Sequence, residues 1–288
     1  MATRNVHLNG RIVPADQAAV GIFDAGLLHG ASVFTTMLGR GGAVFRLERH
    51  LERLLETAEH FHLSTDATPA ALTEATRALL VANELSEARM RITLTPGAAQ
   101  GGPPTTLVTA EPLPPHPRQW YQSGLTVCVS SFRQNPADPT AGYKTGCYLP
   151  RMLARQEAAA RGADEALWFT TDNLLAEACF CNVFVVLDGR VLTPPLTTPV
   201  LPGVVRQAVI ELCGRLGIAC DDSSSLTVRQ MLAAQEMFLT SSPSGVRPVA
   251  RVERHGVGDE KPGEVTRRIM AGYREMLDQE CPGSGSER

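Results

Sequence analysis

The sequence predicts a mixed α/β (α+β) protein of two unequal domains, and three observations lead to this fold class. The chain has 288 residues, which exceeds the usual size of a single hydrophobic core. Strand signals come in neighbouring pairs joined by turns and do not alternate regularly with helices, as they would in a doubly wound fold. The stretch "EPLPPHPRQW", residues 111–120, is proline-rich and therefore extended. We accordingly expect a small α/β domain at residues 1–115, a linker at 116–122 and a larger domain at 123–288.

The predicted first domain combines strand pairs with two helices. "VHLNGRIVP" has Asn9-Gly10 between two β-type runs, which is a hairpin signal. "SVFTTML", residues 32–38, is a predicted strand, followed by the turn "GRGG" and a short partner, "AVFR". Apolar residues then repeat at helical spacing over residues 46–62. A second helix begins at Thr68-Pro69, where threonine can cap the helix and proline suits its first position, and the strands "RMRITLT" and "TTLVTAE" follow around the loop "PGAAQGGPP".

The predicted second domain opens with the strand "LTVCVSS" and a loop that contains Lys144. Two hairpins are expected where polar turn residues separate strand runs, at Asp172-Asn173 and at Asp188-Gly189. Helices are expected at residues 150–161, 202–216 and 264–280. The strand "EMFLTSS" precedes the last helix, and we expect the tail "PGSGSER" to be loose.

Composition excludes several classes of partner. Hydrophobic residues make up 43% and charged residues 20% of the chain, as in ordinary globular proteins. The net charge of −3 with no basic run argues against nucleic acid as a partner. No stretch approaches 18 apolar residues and the N-terminus lacks a signal-peptide core, so we expect no membrane segment. The seven cysteines are scattered, and Cys179 and Cys181 lack the second pair of a zinc site, so we expect free buried thiols in a cytoplasmic protein and no metal.

Lys144 is the residue of greatest chemical interest. Only two of the 27 basic residues are lysines: Lys144 in "AGYKTGCYLPR" and Lys261 in the charged stretch "GDEKPGE". Unlike arginine, lysine can lose its proton and become a nucleophile, and a neutral amine forms Schiff bases with carbonyls, including pyridoxal phosphate (PLP). The alternative is an ordinary solvated lysine in a loop.

Downstream features offer the anion and the phosphate site that PLP also requires. Glu177 lies between apolar runs in "LLAEACFCNVF", where a carboxylate needs a partner to offset its desolvation, unless it is a strand-end glutamate in solvent. "TTPVLPGVVRQAVIELC" places Pro-Gly at the start of a helix, whose free N–H groups can bind phosphate. Thr240, Ser241 and Ser242 in "FLTSSPSG" add hydroxyls, with a plain serine-rich turn as the alternative.

These blocks occur together and in an order that resembles the class-IV, or fold-type IV, PLP-dependent aminotransferases. That family holds branched-chain aminotransferases, D-amino-acid aminotransferases and aminodeoxychorismate lyase. Four blocks carry the resemblance, which runs from "LNGRIVP" to "VRPVARV": "HLERL", the Lys144 loop, "AEACFCNVF" and "LPGVVRQ". The resemblance implies a two-domain fold-type IV PLP enzyme, with a smaller α/β domain and a larger pseudo-barrel domain that has the PLP site. It also implies a homodimer.

The resemblance also implies roles for individual residues. Lys144 would form the internal aldimine with PLP and serve as general base and then acid, and Glu177 would pair with the pyridine nitrogen. Arg53 would bind the phosphate with a charge-assisted fork. Further phosphate contacts are implied for Gly203, Val204, Val205 and Thr240. Leu201 would pack on one face of the ring, and Tyr148 would reach the ring oxygen.

The sequence matches no single member of the family in the residues that select the reaction and the substrate. The loop "TPGAAQGGPP" lacks the Arg and His with which D-amino-acid enzymes bind the α-carboxylate. Branched-chain enzymes have a Tyr-x-Arg strand motif; Arg91 matches its arginine, while the tyrosine is missing, and a strand-edge charge is the alternative for Arg91. "FTT" from Phe34 to Thr36 resembles the lyase, whereas the "TSS" turn resembles the aminotransferases.

We therefore predict an aminotransferase that acts on an amino acid, with branched-chain amino acids as candidates, and on a 2-oxo acid. The predicted substrate-binding residues are Phe34, Thr36, Arg91, Ser241 and Ser242. The alternatives are aminodeoxychorismate lyase, which would release 4-aminobenzoate and pyruvate, and a PLP-binding protein without turnover. Ordinary surface or packing roles are expected for His50, His60 and His62, and His29 is a weaker candidate for the cofactor region.

Overall fold

The computed structural model describes residues 4–282 and forms two compact units. Residues 283–288, most of the tail that we expected to be loose, lie outside the described residues. Unit 1 contains the described residues of Met1–Pro114, Lys144–Cys147 and Leu277–Arg288. Unit 2 contains Pro115–Tyr143 and Tyr148–Met276.

Unit 1 is built on a six-stranded sheet in which every pairing is antiparallel. Its strands are β1 (Asn5–Leu8), β2 (Arg11–Pro14), β3 (Val33–Arg40), β4 (Ala43–Val44), β5 (Glu87–Thr95) and β6 (Thr105–Pro112). Its helices are α1 (Ala25–His29), α2 (Leu47–His60) and α3 (Pro69–Ala82). The strand order is β2-β1-β6-β5-β3-β4. Asn9 and Gly10 both have positive φ, 47° and 82°, as the predicted two-residue hairpin between β1 and β2 requires.

Helices α2 and α3 supply the apolar side chains that cover one side of β3 and β5. Val33 and Met37 of β3 share a buried cluster with leucines of both helices. The start of α3 agrees with its sequence signal, because Thr68 Oγ1 accepts the Ala71 N–H at 3.2 Å and Pro69 is the first helical residue. Side chains alternate along a strand, so Thr35 lies on the helix-covered side.

Unit 2 is built on a nine-stranded mixed sheet. Its strands are β7 (Leu125–Gln134), β8 (Glu165–Thr170), β9 (Leu175–Ala178), β10 (Asn182–Leu187), β11 (Arg190–Leu192), β12 (Cys220–Asp221), β13 (Glu236–Ser241), β14 (Gly245–Val252) and β15 (His255–Gly256). Its helices are α4 (Arg118–Gln122), α5 (Leu149–Ala160), α6 (Val204–Arg215), α7 (Val228–Leu232) and α8 (Glu264–Glu280), the last of which continues into the residues of unit 1.

The sheet of unit 2 curls back on itself. Its main path runs β12-β11-β10-β13-β14-β7-β8-β9, so β9 and β10 are far apart along the path. They are nevertheless joined by a tight turn in which Ala178 N–H donates to Cys181 O at 2.8 Å. A sheet whose last strand returns beside an inner strand is a half-barrel, and the predicted pseudo-barrel class is confirmed.

The units differ in three places from the domains that we expected. The first segment of unit 1 ends at Pro114, and the stretch that we took as a linker contains the short helix α4. The segment Lys144–Cys147 and the described residues from Leu277 onward belong to unit 1, although we placed both in the second domain. The five-residue helices α1, α4 and α7 were not predicted, because five residues are too few to display a helical period.

Other expectations concern cysteines, metals and membranes. All seven cysteines are free, and Cys179 and Cys181 are buried as expected. Among residues 4–282, no group of three or more His, Cys, Asp and Glu side chains is arranged to hold a metal ion. None of the helices that the structure describes is long and apolar enough to cross a membrane.

Candidate active site

Lys144 lies in an irregular segment that is hydrogen-bonded to the start of β3 in unit 1. Phe34 N–H donates to Lys144 O at 2.9 Å, and Gly146 N–H donates to Ser32 O at 2.8 Å. A Cβ atom at Gly146 would collide with Ser32 Oγ and would lie 2.8 Å from Gly30 O. Only glycine allows this close approach, so the backbone around Lys144 is held against unit 1. These bonds explain why the segment departs from the predicted domain division.

The side chain of Lys144 differs from that of an ordinary surface lysine. The residue is half-buried, and its Nζ lies 4.9 Å from the centroid of the Phe34 ring. Lys261, in contrast, has a side chain that is 63% exposed and lies 3.7 Å from Asp259. The alternative of a solvated lysine therefore fits Lys261 and does not fit Lys144.

The Phe34 ring also contacts Arg91. The guanidinium carbon lies 3.6 Å from the ring centroid, and Arg91 Nε donates to Thr93 Oγ1 at 3.0 Å. Thr36 is directly opposite Arg91 across β3 and β5, so Phe34, Thr36 and Arg91 share one side of the sheet. The alternative of a strand-edge charge is wrong, because β5 lies between β3 and β6.

Arg53 is part of a hydrogen-bonded row on the helix-covered side of the same sheet. Arg53 Nη2 donates to Thr35 Oγ1 at 3.1 Å, and Thr35 Oγ1 lies 2.8 Å from His50 Nδ1. Burial, with the positive charges of Arg53 and Lys144, holds the pKa of His50 well below its ordinary value. The imidazole is therefore neutral at physiological pH. His50 is buried and hydrogen-bonded, whereas His29, His60 and His62 are exposed.

In unit 2, Glu177 is buried on β9 and forms an ion pair with Arg151. Arg151 Nη2 donates to Glu177 Oε1 at 2.5 Å, and its Nη1 donates to Ala178 O and Cys179 O, each at 3.1 Å. Glu177 Oε2 accepts the Leu201 N–H at 3.1 Å. The alternative of a strand-end glutamate in solvent is wrong. A carboxylate has about four acceptor sites, so it can accept a further donor beside these two.

Arg151 is enclosed by aromatic rings. Its guanidinium carbon lies 5.7 Å from the Tyr148 centroid and 5.4 Å from the Trp168 centroid, distances at which cation–π attraction operates. Burial acts to lower the pKa of Arg151, but the Glu177 carboxylate together with Tyr148 and Cys179 outweighs it, and the pKa is raised. Arg151 therefore remains charged, and it connects two predicted cofactor residues, Tyr148 and Glu177.

The start of α6 has the features of an anion site. Gly203 is its N-cap and makes no side-chain capping bond, and the first N–H groups of a helix, here those of Val204 and Val205, have no acceptor within the helix. A Cβ atom at Gly203 would collide with Asn182 Oδ1. Glycine is therefore required for the close packing of this turn.

Asn182 connects the start of α6 with Thr240. Asn182 Nδ2 donates to Leu201 O at 2.8 Å, and Asn182 pairs with Thr240 across β10 and β13. Thr240 Oγ1 is buried and has no hydrogen-bond partner among the residues that the structure describes. A buried hydroxyl without a partner is costly, and a ligand oxygen would satisfy it. Of the serines that follow, Ser241 is the last residue of β13 and Ser242 is half-buried in the turn before β14. Ser241 Oγ lies 2.6 Å from Ser244 Oγ, at the other end of that turn.

Each unit thus contains one group of the predicted residues. In unit 1 these are Phe34, Thr36, Arg53, Arg91 and Lys144. In unit 2 these are Tyr148, Glu177, Leu201, Gly203, Val204, Val205, Thr240, Ser241 and Ser242. Sequence reasoning missed Thr35 and Arg151. The sequence did contain a signal for Arg151, because it lies three residues after Tyr148 at the start of a helix and so points to the same side. No sequence pattern indicated that Thr35 contacts α2.

The chemistry of these groups fits PLP. The cofactor needs an amine for its aldehyde, an anion for its ring nitrogen and donors for its phosphate. Unit 1 offers the amine of Lys144 and the guanidinium of Arg53. Unit 2 offers the buried Glu177 carboxylate, a helix start without a capping side chain and the unsatisfied Thr240 hydroxyl.

Similarity to known proteins defines the class. The family model for amino-transferase class IV matches residues 32–252, and the chain belongs to this family. It is 28% identical over 279 residues to a protein of Methanocaldococcus jannaschii named "Putative branched-chain-amino-acid aminotransferase", covering 94% of this chain and 96% of that protein.

Solved structures agree with this assignment. The branched-chain amino acid aminotransferase of Escherichia coli superposes with a TM-score of 0.91 at 26% identity, over 99% of this chain and 98% of that one. A T.th. branched-chain amino acid aminotransferase solved with pyridoxamine 5'-phosphate gives 0.90 at 26% identity, over 98% and 96%. Class IV aminotransferases are PLP enzymes. The chain is an enzyme of this type, a PLP-dependent aminotransferase, and the alternative of aminodeoxychorismate lyase is not favoured.

Proposed function

We propose that the protein transfers an amino group from a branched-chain amino acid to a 2-oxo acid, with PLP bound to Lys144. The observation that carries the proposal is the half-buried Lys144 amine, 4.9 Å from the Phe34 ring, on a backbone segment that is hydrogen-bonded to β3. The proposed substrate class rests on the names of the similar aminotransferases described above.

Lys144 is the proposed catalytic residue. PLP, when bound, supplies an aldehyde that condenses with amines and a ring that accepts the charge left at the substrate α-carbon. Lys144 Nζ would take the proton from that α-carbon as general base and would then, as general acid, deliver it to the cofactor's former aldehyde carbon, so that the amino group stays with the cofactor. Phe34 and Arg91 lie on one side of the sheet, where the Phe34 ring would contact apolar parts of the substrate and the Arg91 guanidinium would bind a carboxylate. Thr36, directly opposite Arg91, would contact the substrate on the same side.

The residues of unit 2 would hold and tune the cofactor. Glu177, fixed by Arg151, would accept a hydrogen bond from the protonated pyridine nitrogen through one of its remaining acceptor sites. Leu201 would pack on the ring, and Tyr148 would donate to the ring oxygen. For the phosphate, Val204 and Val205 would supply N–H groups at the helix start that Gly203 caps, and Thr240 would supply its hydroxyl. Arg53 is the proposed guanidinium donor to the phosphate. Ser241 and Ser242 would bind the substrate carboxylate in their turn.

Covalent labelling tests the role of Lys144, and the chain provides its own control because it has only two lysines. Borohydride reduction of the PLP-loaded protein, followed by digestion and mass measurement, should place the added mass on the peptide that contains Lys144. Lys144→Arg should abolish labelling and turnover, while Lys261→Arg should retain both. Label on Lys261 alone, or full turnover of Lys144→Arg, would contradict the proposal.

Substrate assays test the reaction. Leucine, isoleucine and valine, each as L and D isomer, are offered with 2-oxoglutarate, and the formation of the 2-oxo product is measured. The proposal predicts turnover with at least one branched-chain donor. Release of pyruvate from aminodeoxychorismate without an amino acceptor would instead support the lyase. Absence of any reaction with amino donors would indicate a PLP-binding protein without turnover.

Assembly and location are part of the proposal. We propose a homodimer, as the resemblance implies, and a cytoplasmic location, which is supported by seven free cysteines because reducing compartments keep thiols unpaired. Sedimentation equilibrium of the PLP-loaded protein tests the first point; a mass near 31.0 kDa, that of one chain, would contradict it.

A further inference from the structure

The row formed by Arg53, Thr35 and His50 contains two residues with no role in the proposal above. We propose that Thr35 and His50 are positioning residues that hold the Arg53 guanidinium in the orientation in which it binds the cofactor phosphate. This inference rests on the proposed function of Arg53. It adds that phosphate affinity depends on a strand hydroxyl and a helix imidazole, neither of which contacts the phosphate itself.

Hydrogen-bond chemistry links these three side chains through the Thr35 hydroxyl. A guanidinium can only donate, so Arg53 Nη2 donates to a lone pair of Thr35 Oγ1, 3.1 Å away. The hydroxyl keeps a second lone pair and its own proton, so it forms a hydrogen bond with His50 Nδ1, 2.8 Å away, in either tautomer of the imidazole. Burial and nearby cations hold the pKa of His50 well below its ordinary value, so the ring is neutral. The oxygen that contacts Arg53 is therefore held from both sides.

The fold explains why these three side chains meet. His50 and Arg53 are three residues apart on α2 and so share a face of the helix. Thr35 lies on β3 and is fully buried, on the side of the sheet where the buried cluster includes α2. A threonine side chain is also stiff, because its Cβ is branched.

Holding Arg53 in advance should strengthen phosphate binding. An arginine side chain loses rotamer freedom when it is fixed by a ligand, and this loss weakens binding. If Thr35 and His50 fix the guanidinium when the protein folds, the loss no longer opposes binding. Removal of the Thr35 hydroxyl should then weaken binding of the phosphorylated cofactor and leave binding of unphosphorylated pyridoxal unchanged.

The experiment compares the affinity of the cofactor-free full-length protein for PLP and for pyridoxal, each followed by cofactor absorbance. Thr35→Val removes the hydroxyl and preserves the shape, and we expect PLP affinity to fall about tenfold, the effect of one hydrogen bond to a charged group. Thr35→Ser should retain the affinity. The matched control is Thr76→Val, since Thr76 is equally buried and its hydroxyl donates to Leu72 O, at 2.6 Å, within its own helix.

A loss that is equal for PLP and pyridoxal, or no loss for either, would overturn the inference, since both outcomes separate Thr35 from the phosphate. If Thr35→Val does not fold, Thr35→Ala gives the same comparison. Arg53→Met distinguishes a failure of the proposed phosphate-binding role of Arg53 from a failure of the proposed positioning role of Thr35. If Arg53→Met leaves the PLP preference unchanged, the proposed role of Arg53 fails and the inference fails with it. If Arg53→Met abolishes the preference and Thr35→Val lowers PLP affinity further in that background, Thr35 does not act through Arg53.

Discussion

Replacing Arg151 with methionine should lower the free energy of unfolding of the cofactor-free protein by about 3–5 kcal/mol, the usual effect of removing one partner of a buried ion pair. The substitution leaves Glu177, a residue that is only 4% exposed, without its counter-ion. It also removes the donors of Ala178 O and Cys179 O. Methionine has a similar length and retains contact with the Tyr148 and Trp168 rings, so loss of packing is a minor part of the effect.

The assay is urea unfolding of the cofactor-free variants. Adding Glu177→Gln to Arg151→Met should restore more than about half of the loss, because no buried charge then remains without a partner. Arg161→Met is the control, because Arg161 caps the C-terminus of the same helix and pairs with Glu253 on the surface, with side chains 40% and 43% exposed. Such a pair contributes less than about 1 kcal/mol.

Two results would refute this reasoning. A loss below about 1 kcal/mol for Arg151→Met would mean that Glu177 finds water or another partner without cost. A double variant less stable than Arg151→Met would mean that the charge of Glu177 does not cause the loss.

Three further predictions follow from individual contacts. The folded state keeps His50 neutral, while the unfolded chain protonates it below about pH 6.5. The free energy of unfolding, measured relative to His50→Asn, should therefore fall between pH 7 and pH 5 by up to about 1.4 kcal/mol per pH unit. Parallel curves of unfolding free energy against pH for the two proteins would contradict this. Thr240→Val should leave the stability of the cofactor-free protein unchanged or raise it, since the hydroxyl has no partner among the described residues, yet weaken PLP binding about tenfold; equal PLP affinity would count against the phosphate role. Gly146→Ala should lower the free energy of unfolding by about 1–3 kcal/mol, because its Cβ would collide with Ser32 and crowd Gly30; unfolding as stable as wild type would show that the segment can shift.

The elements that were predicted well have signals within a few residues. Pro69 starts α3 with Thr68 as its cap, Asn9-Gly10 turns the first hairpin, and the last helix has the predicted bounds Glu264–Glu280. Capping, turn geometry and helical periodicity depend on local backbone conformation, so the sequence contains them directly.

For the candidate site, the sequence identified residues but not the contacts between them. The sequence identified Lys144, Glu177, the helix start at Gly203 and the hydroxyls from Thr240 to Ser242 by their chemistry, and the remaining candidates by their resemblance to a family. It supplied neither the partner of Glu177 nor the surroundings of Arg53. Arg151 and Glu177 are 26 residues apart, and Thr35 and Arg53 are 18 residues apart, so no local pattern joins them.

The sequence by itself determined the order of most of the longer helices and strands, the candidate lysine and the family that the chain resembles. The tertiary structure alone decided which unit contains that lysine, which cation pairs with the buried carboxylate and which hydroxyl contacts Arg53. The physical reason is that local conformation follows from neighbouring residues, whereas the pairing of buried polar groups follows from strand register and helix packing. Those are set by the burial of apolar residues from distant parts of the chain.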